Sequence, residues 1–319
     1  MKFYKNEDII RFGNIKEYDF YIFELLIHNK CDFKCSYCYM RNEYNNWNTF
    51  ASILNIKEIF KILKKIQKYK ELRICLSGGE ALLHPQIHTI INLYKKYFSF
   101  ELHINTNLGN SFEILKEIIQ KYPDLKIILH SSIHPLQINK QEIIKKIEFI
   151  EKNKIECEYN YIIDPKISGD EHFENIKNYR KLITYNKLFL KSIYILSRFK
   201  FYKNLKFIYT NFEWLKNNID KEYFIEFKNG KKILLNDIEI ITLFDFPFNF
   251  KNYICNYKFF TIDANNFKIK EMCENFNLSD IRADYSFFIK YSKNTKIKCP
   301  HDQCLWPSAL DMVKEKHVL

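Results

Sequence analysis

Three cysteines in one short segment are the residues with the clearest chemical potential. Cys31, Cys35 and Cys38 are spaced CxxxCxxC within residues 29–39. Three thiolates can bind three irons of a [4Fe-4S] cube and leave the fourth iron open to another ligand. A structural zinc site would need a fourth ligand, for which His28 is the only nearby alternative. The spacing favours an iron-sulfur cluster with an open iron, and zinc remains the alternative.

A second segment follows the next predicted strand and has the sequence Leu76-Ser77-Gly78-Gly79-Glu80-Ala81-Leu82-Leu83-His84-Pro85. Glycine is needed where the backbone approaches a ligand closely. The two segments together, with an aromatic residue before the last cysteine, resemble the signature motifs of the radical S-adenosylmethionine (SAM) superfamily. The resemblance implies that the three cysteines bind the cluster and that its open iron binds the amino and carboxylate groups of SAM.

The same resemblance assigns further contacts to SAM. Gly78, Gly79 and Glu80 would meet its amino group, and Tyr37 would help to cover the adenine. Two later strand ends also resemble family positions, which implies that Asn107 and Ser132 line the cofactor site, with Ser132 facing the ribose. His134 stands where the family often has aspartate.

The chemistry implied by the resemblance is reductive cleavage of SAM to a 5'-deoxyadenosyl radical, which abstracts hydrogen from carbon. An electron donor such as flavodoxin or ferredoxin would supply the electron. The implied substrate is a peptide or a small polar metabolite. Two alternatives stay open, namely a radical SAM enzyme that modifies nucleic acid such as tRNA, and a non-catalytic scaffold that binds iron-sulfur or zinc.

A second set of cysteines lies near the C-terminus, at Cys255, Cys273, Cys299 and Cys304. Four thiolates complete a cube or a zinc tetrahedron. Residues 255–273 resemble the opening hairpin of the SPASM and twitch extensions, although Asn265-Asn266 replaces the usual turn glycine. The resemblance implies one auxiliary [4Fe-4S] cluster, with structural zinc and unliganded core thiols as alternatives.

Two cysteines belong to predicted strands. Cys75 is expected to be a small buried side chain. Cys157 is a candidate hydrogen donor to a substrate radical, a role that a cysteine has in some epimerases of the superfamily, and core packing is the competing interpretation. Among the remaining histidines, only His134 is placed at a strand end where it would face substrate.

The elements that must position these residues alternate between strand and helix. Apolar runs predict strands at Phe20 to His28, Leu72 to Leu76, Phe100 to Asn105, Lys126 to Ile133, Glu156 to Ile163 and Phe189 to Leu196. Amphipathic segments between them predict helices, so the fold class is α/β. We expect a partial (β/α)6 TIM-like barrel over residues 1–200, a connecting region with a hairpin at Asn229-Gly230 over 201–250, and an auxiliary-cluster segment over 251–319.

Composition limits the other classes of function. The chain has 319 residues, 47% of them hydrophobic, and a net charge of +12. The lysines are spread over predicted helix faces rather than gathered into one basic patch, so we expect no nucleic-acid partner. No run of about 18 apolar residues would span a membrane, and the N-terminus lacks the apolar core of a signal peptide. These features predict a cytoplasmic protein without a membrane partner.

Overall fold

The computed structural model describes residues 8–14, 20–38, 49–164, 166–192, 205–236, 239–240, 243, 253–256, 258–270, 296–298 and 313–316. Its strands are β1 (Ile9–Asn14), β2 (Tyr21–His28), β3 (Leu72–Gly78), β4 (Leu102–Thr106), β5 (Ile127–Ile133), β6 (Glu156–Ile163), β7 (Lys187–Ser192), β8 (Tyr223–Phe227), β9 (Lys232–Leu235), β10 (Tyr253–Asn256), β11 (Phe259–Asp263), β12 (Lys268–Lys270), β13 (Lys296–Lys298) and β14 (Val313–Lys316). Its helices are α1 (Ile53–Gln67), α2 (Ile87–Tyr97), α3 (Phe112–Lys121), α4 (Lys140–Lys152), α5 (Gly169–Leu182), α6 (Leu205–Thr210) and α7 (Phe212–Asn218).

The main sheet contains eight strands in the order β12-β11-β2-β3-β4-β5-β6-β7. Strands β2 to β7 are parallel to their neighbours, and a helix precedes each of β3 to β7. This architecture confirms the predicted α/β fold with its alternating strands and helices. The predicted limits of the strand Glu156 to Ile163 agree with β6.

The helices begin and pack as their sequences require. The side chain of Ser52 accepts a hydrogen bond from Asn55 N at the start of α1, and that of Ser168 accepts one from Glu171 N at the start of α5. The apolar stripe of α1 is buried against the sheet and consists of Ile56, Ile59, Phe60, Leu63 and Ile66. Because right-handed crossovers place successive helices on the same side, α1 to α5 cover one face of the main sheet. We call the opposite face the inner face.

A strand from the predicted C-terminal segment joins the main sheet. Strand β11 pairs with β2 in parallel register, with Ile262 opposite Leu25, and β12 pairs with β11 antiparallel. The turn between β11 and β12 has no glycine, and the side chain of Asp263 accepts hydrogen bonds from Asn265 N and Asn266 Nδ2. The domain boundary at residue 250 stays a prediction. The hydrogen bonds between β11 and β2 connect segments that lie on opposite sides of this boundary in the sequence.

A second sheet is antiparallel and has the order β13-β10-β14-β1-β8-β9. It contains the predicted hairpin, in which β8 pairs with β9 around Gly230, whose φ is +77°. The N-terminal strand β1 pairs with both β8 and β14. Among the residues described, no helix is both long and apolar enough to cross a membrane.

The position of β11 predicts that its core side chains stabilise the barrel. Phe260 is buried and stacks on Phe23 of β2, with ring centroids 5.4 Å apart. We expect Phe260→Ala to lower the free energy of unfolding by about 3 kcal/mol, because it removes a large buried side chain from the sheet. Denaturant unfolding, with hydrogen exchange of the β2 amides, measures the effect. Leu234→Ala is the control because Leu234 is 52% exposed. Unchanged exchange in β2 would show that the C-terminal segment folds independently of the barrel.

Candidate active site at the carboxyl ends of the strands

The cysteine segment lies at one edge of the main sheet. It follows β2 directly, and the loops after β3, β4 and β5 meet it there, because the carboxyl ends of parallel strands share one edge. Cys35 is buried, Cys31 and Cys38 are half-buried, and all three are free thiols. Cys38 N donates a hydrogen bond to Cys35 O at 3.2 Å, so the last two cysteines lie on one tight turn.

The two glycines of the second segment pack against the backbone of the cysteine segment. Gly79 N donates to His28 O at 3.1 Å, and Glu80 N donates to Lys30 O at 2.8 Å. A Cβ on Gly78 would lie 2.1 Å from His28 O, and one on Gly79 would lie 2.2 Å from Lys30 O. The glycines therefore permit a close backbone approach that the sequence alone did not indicate. Their contact with SAM stays a prediction.

The carboxylate of Glu80 is almost completely buried, with 1% of the residue exposed. One of its oxygens accepts hydrogen bonds from Thr106 Oγ1 at 2.9 Å, Ser111 Oγ at 3.0 Å and Leu82 N at 3.4 Å. The other accepts from Asn107 N at 2.6 Å. Burial raises the pKa of Glu80 to about 7, and the hydrogen bonds from Asn107, Thr106 and Ser111 oppose that shift. Glu80 thus connects the loops after β3 and β4.

Asn107, a predicted SAM contact, lies beside the first cysteine. Its Nδ2 is 3.5 Å from Cys31 Sγ and donates to Asp32 Oδ1 at 2.8 Å, while its Oδ1 accepts from Gly109 N at 2.7 Å. The other Asp32 oxygen accepts from Asn110 N at 2.7 Å. Sequence reasoning missed Asp32, although its position directly after a candidate metal ligand was a usable signal.

The loop after β5 contacts the cysteine segment from the other side. The hydroxyl of Tyr37 is 2.7 Å from His134 Nδ1, and the two rings are stacked with centroids 5.9 Å apart. Cys35 Sγ is 3.6 Å from the same nitrogen. Lys34 N donates to Gln137 Oε1 at 2.9 Å. Tyr37 and His134 therefore adjoin the second cysteine, and a role of Tyr37 against adenine stays a prediction.

The three thiols are the donor set that a [4Fe-4S] cube with one open iron takes. Burial is the main reason that the pKa of Cys31 is raised to about 12 and that of Cys35 to about 11, and nearby negative groups add to both shifts. Deprotonating these thiols together therefore requires positive charge, which iron would supply. Within the part of the chain that the structure describes, no group of three or more His, Cys, Asp or Glu side chains is arranged to hold a metal ion. A [4Fe-4S] cube differs from such a site because it takes each thiolate on a different iron.

His28, the nearby alternative ligand in the sequence, has other partners. Its Nδ1 accepts a hydrogen bond from Lys30 N at 3.1 Å. Its ring lies 5.3 Å from that of Phe50 and 5.7 Å from that of His84, and only 1% of the residue is exposed. Burial lowers the pKa of His28 to about 4. These contacts give His28 a packing role beneath the cysteine segment.

The inner face of the sheet carries polar groups bonded to one another. Glu24 of β2 accepts hydrogen bonds from Asn105 Nδ2 at 2.8 Å and from Thr261 Oγ1 at 3.0 Å. Asn105 also donates to Ser77 Oγ at 3.0 Å and accepts from Cys75 Sγ at 3.1 Å. This first group joins β2, β3, β4 and β11.

A second polar group on the inner face joins β4, β5 and β6. His130 Nε2 is 2.9 Å from His103 Nδ1, and His130 Nδ1 is 3.0 Å from Glu158 Oε2. The side chains of His130 and Glu158 are 22% and 23% exposed. The pair places an imidazole and a carboxylate side by side on the inner face. Ser132, one predicted contact, follows His130 on the same face, with its Cα opposite that of Asn160.

The two strand cysteines are on different faces of the sheet. Cys157 is 3% exposed in the apolar core between the sheet and the helices, together with Tyr159 and Tyr161. A role of Cys157 as a hydrogen donor therefore has no geometric support in this structure. Cys75 is also buried, as expected, but its thiol contacts Asn105 on the inner face.

The predicted auxiliary site is only partly described. Cys255 lies in β10 of the second sheet, with its Cα opposite those of Ile297 and Lys314, and it is half-buried. The other three predicted ligands, Cys273, Cys299 and Cys304, lie outside the described residues. An auxiliary cluster stays a prediction.

The buried carboxylate of Glu80 predicts a cost for its closest isostere. In Glu80→Gln, the amide NH₂ would face one of the four donors that now point at the carboxylate. We expect the free energy of unfolding of the metal-free protein to fall by about 1–3 kcal/mol, because a buried donor loses its acceptor. Denaturant unfolding measures this. Glu113→Gln is the matched control because the Glu113 side chain is 74% exposed. Equal stability of the two variants would contradict a structural role for Glu80.

Known proteins match this chain over its barrel. A family model described as the Radical SAM superfamily matches residues 25–190, just over half of the chain. Curated proteins named Probable GTP 3',8-cyclase, from Methanococcus maripaludis strains C5 and C6, are each 29% identical over 136 residues. The match covers 41% of this chain and 43% of each relative, so the chain spans less than half of their length.

Solved structures show the same fold at low sequence identity. The structure of anSMEcpe with bound AdoMet has a TM-score of 0.53 and 14% identity, and the match covers 86% of this chain and 78% of that one. Streptococcus suis SuiB bound to precursor peptide SuiA has a TM-score of 0.52 and 14% identity, with 80% and 60% covered. From the family match over the cysteine segment and barrel, the chain belongs to the radical SAM superfamily, a family that uses a [4Fe-4S] cluster with SAM.

Proposed function

We propose that Cys31, Cys35 and Cys38 bind the [4Fe-4S] cluster and that the enzyme acts on carbon of a peptide or a small polar metabolite. When bound, the cluster and SAM would supply the radical chemistry, namely hydrogen abstraction from carbon by a 5'-deoxyadenosyl radical. The observation that carries this proposal is the loop of three free thiols after β2, packed on the Gly78-Gly79-Glu80 segment.

The chain's own residues position and shield this chemistry. Backbone hydrogen bonds from Gly79 and Glu80 fix the start of the cysteine segment, and Asn107 fixes Asp32 next to Cys31. Gly78, Gly79 and Ser132 would provide further SAM contacts at the same sheet edge. The reacting carbon of the substrate must be protected from water. A substrate bound on the inner face would be covered by these loops, which would give that protection.

The inner face favours a polar substrate. Glu24, Asn105, His130 and Glu158 line it, and the last two are accessible. Hydrogen-bonding groups of this kind recognise hydroxyl, amide and amino groups. Among proteins with a similar fold, SuiB has a structure bound to a precursor peptide, and the curated relatives are named as probable cyclases of a nucleotide. Both substrate types are polar, which supports a search among peptides and small metabolites.

We further propose one auxiliary [4Fe-4S] cluster on Cys255, Cys273, Cys299 and Cys304 and electron transfer from a flavodoxin or ferredoxin in the cytoplasm. The auxiliary assignment is supported by the sequence pattern and by the place of Cys255 in β10, four residues before β11 begins. Anaerobic reconstitution with iron and sulfide tests it directly. Two cubes correspond to about eight irons per chain and one cube to about four.

The cysteine assignment predicts the behaviour of Cys35→Ala. This variant should lose about four irons per chain, since one cube can no longer be held by three thiolates, and it should form no 5'-deoxyadenosine from SAM and dithionite. Iron analysis and chromatography of the products measure both effects. Cys157→Ala is the matched control, because its thiol lies in the core on the helix side, and it should retain iron and SAM cleavage. SAM cleavage by Cys35→Ala at the wild-type rate would refute the assignment.

A further inference from the structure

His134 connects two distant parts of the chain at the second cysteine. It is the first residue after β5, and its Nδ1 approaches both the Tyr37 hydroxyl, at 2.7 Å, and Cys35 Sγ, at 3.6 Å. The ring of Phe33 packs edge-on against the His134 ring with centroids 5.7 Å apart. Stacking on Tyr37 and contact with Phe33 therefore fix the orientation of the imidazole toward the sulfur.

The hydrogen-bonding options at this point are limited. While Cys35 is a thiol, His134 Nδ1 can accept from the Tyr37 hydroxyl. When Cys35 is deprotonated to bind iron, its sulfur can only accept hydrogen bonds. A donor can then come from His134, in the tautomer that carries the proton on Nδ1, or from the Tyr37 hydroxyl, which also hydrogen-bonds Cys35. Both arrangements place a donor on the sulfur of Cys35.

We propose that His134 and Tyr37 act as a hydrogen-bonding pair on the sulfur of Cys35 and thereby raise the reduction potential of the cluster. This inference rests on the proposed binding of the cluster by Cys31, Cys35 and Cys38. A hydrogen bond to a ligating sulfur offsets negative charge, so it stabilises the reduced form more than the oxidised form. His134 and Tyr37 are positioning residues in this role, because they act through Cys35.

The described contacts of Cys31 differ in kind from those of Cys35. Cys31 Sγ is approached by Phe33 N at 3.4 Å and by Asn107 Nδ2 at 3.5 Å. Those donors are amides, whose protons are always present. The pair at Cys35 instead consists of a hydroxyl and an imidazole, so the two sulfurs have hydrogen-bonding partners of different chemistry.

The test is a redox titration of the reconstituted full chain. The reduced cluster is monitored by its electron paramagnetic resonance signal, which changes on addition of SAM. We expect His134→Phe and Tyr37→Phe each to lower the midpoint potential without loss of iron, because both keep an aromatic ring and remove a polar partner. Their effects should not add in the double variant, since both act on one sulfur. His134→Gln, which restores an N–H donor, should recover part of the shift. His88→Phe is the matched control, since His88 packs on Tyr122 away from the cysteines.

The outcomes separate this inference from the function on which it rests. A cluster with wild-type potential in both His134→Phe and Tyr37→Phe would overturn the inference alone. Failure of the unmodified chain to bind a SAM-responsive cluster would overturn both. If His134→Phe loses iron, Tyr37→Phe decides by itself, and an unchanged potential in that variant overturns the inference.

Discussion

The arrangement of the active-site loops depends on the buried carboxylate of Glu80. A charge removed from water is costly unless hydrogen bonds replace its hydration. Here the replacements come from Leu82 beside it, from Thr106 and Asn107 after β4, and from Ser111 at the start of α3. The carboxylate is satisfied only when these segments lie together. The loop after β3, which carries Glu80, is therefore stable in this position only when the loop after β4 is also in place.

This constraint reaches the cysteines by two routes. One is the backbone of Gly79 and Glu80, which bonds to His28 and Lys30 just before Cys31. The other is Asn107, whose backbone donates to Glu80 and whose side chain donates to Asp32. The start of the cysteine segment is thus held from two neighbouring strands. Residues of the glycine-glycine-glutamate segment accordingly have structural partners whether or not they also contact SAM.

Local sequence patterns were sufficient for the alternating strands and helices and for the loops that bear the candidate ligands. They could not reveal pairing between distant segments, such as β11 with β2 or β1 with β14, because no local periodicity encodes a partner. The sheet face on which Cys157 lies could be predicted from the sequence. Glu158 and Asn160 mark the polar face of the strand, and Cys157 alternates with them. The contacts of Asp32 and His134 required three-dimensional structure, because each involves a residue more than 70 positions away.

The two polar groups of the inner face bear on where a substrate would bind under the proposed function. Asn105 is engaged on both sides of its amide, by Glu24 and Ser77 and by Cys75, so the region around β2, β3 and β11 is internally satisfied. His130 and Glu158 bond to each other yet remain more than a fifth exposed. Because these two side chains are partly exposed, a polar molecule on the inner face can contact them. Under the proposed function, a substrate on the inner face along β5 and β6 would lie beside His130 and Glu158 and close to the cysteine segment, because β5 ends next to His134, which contacts Cys35.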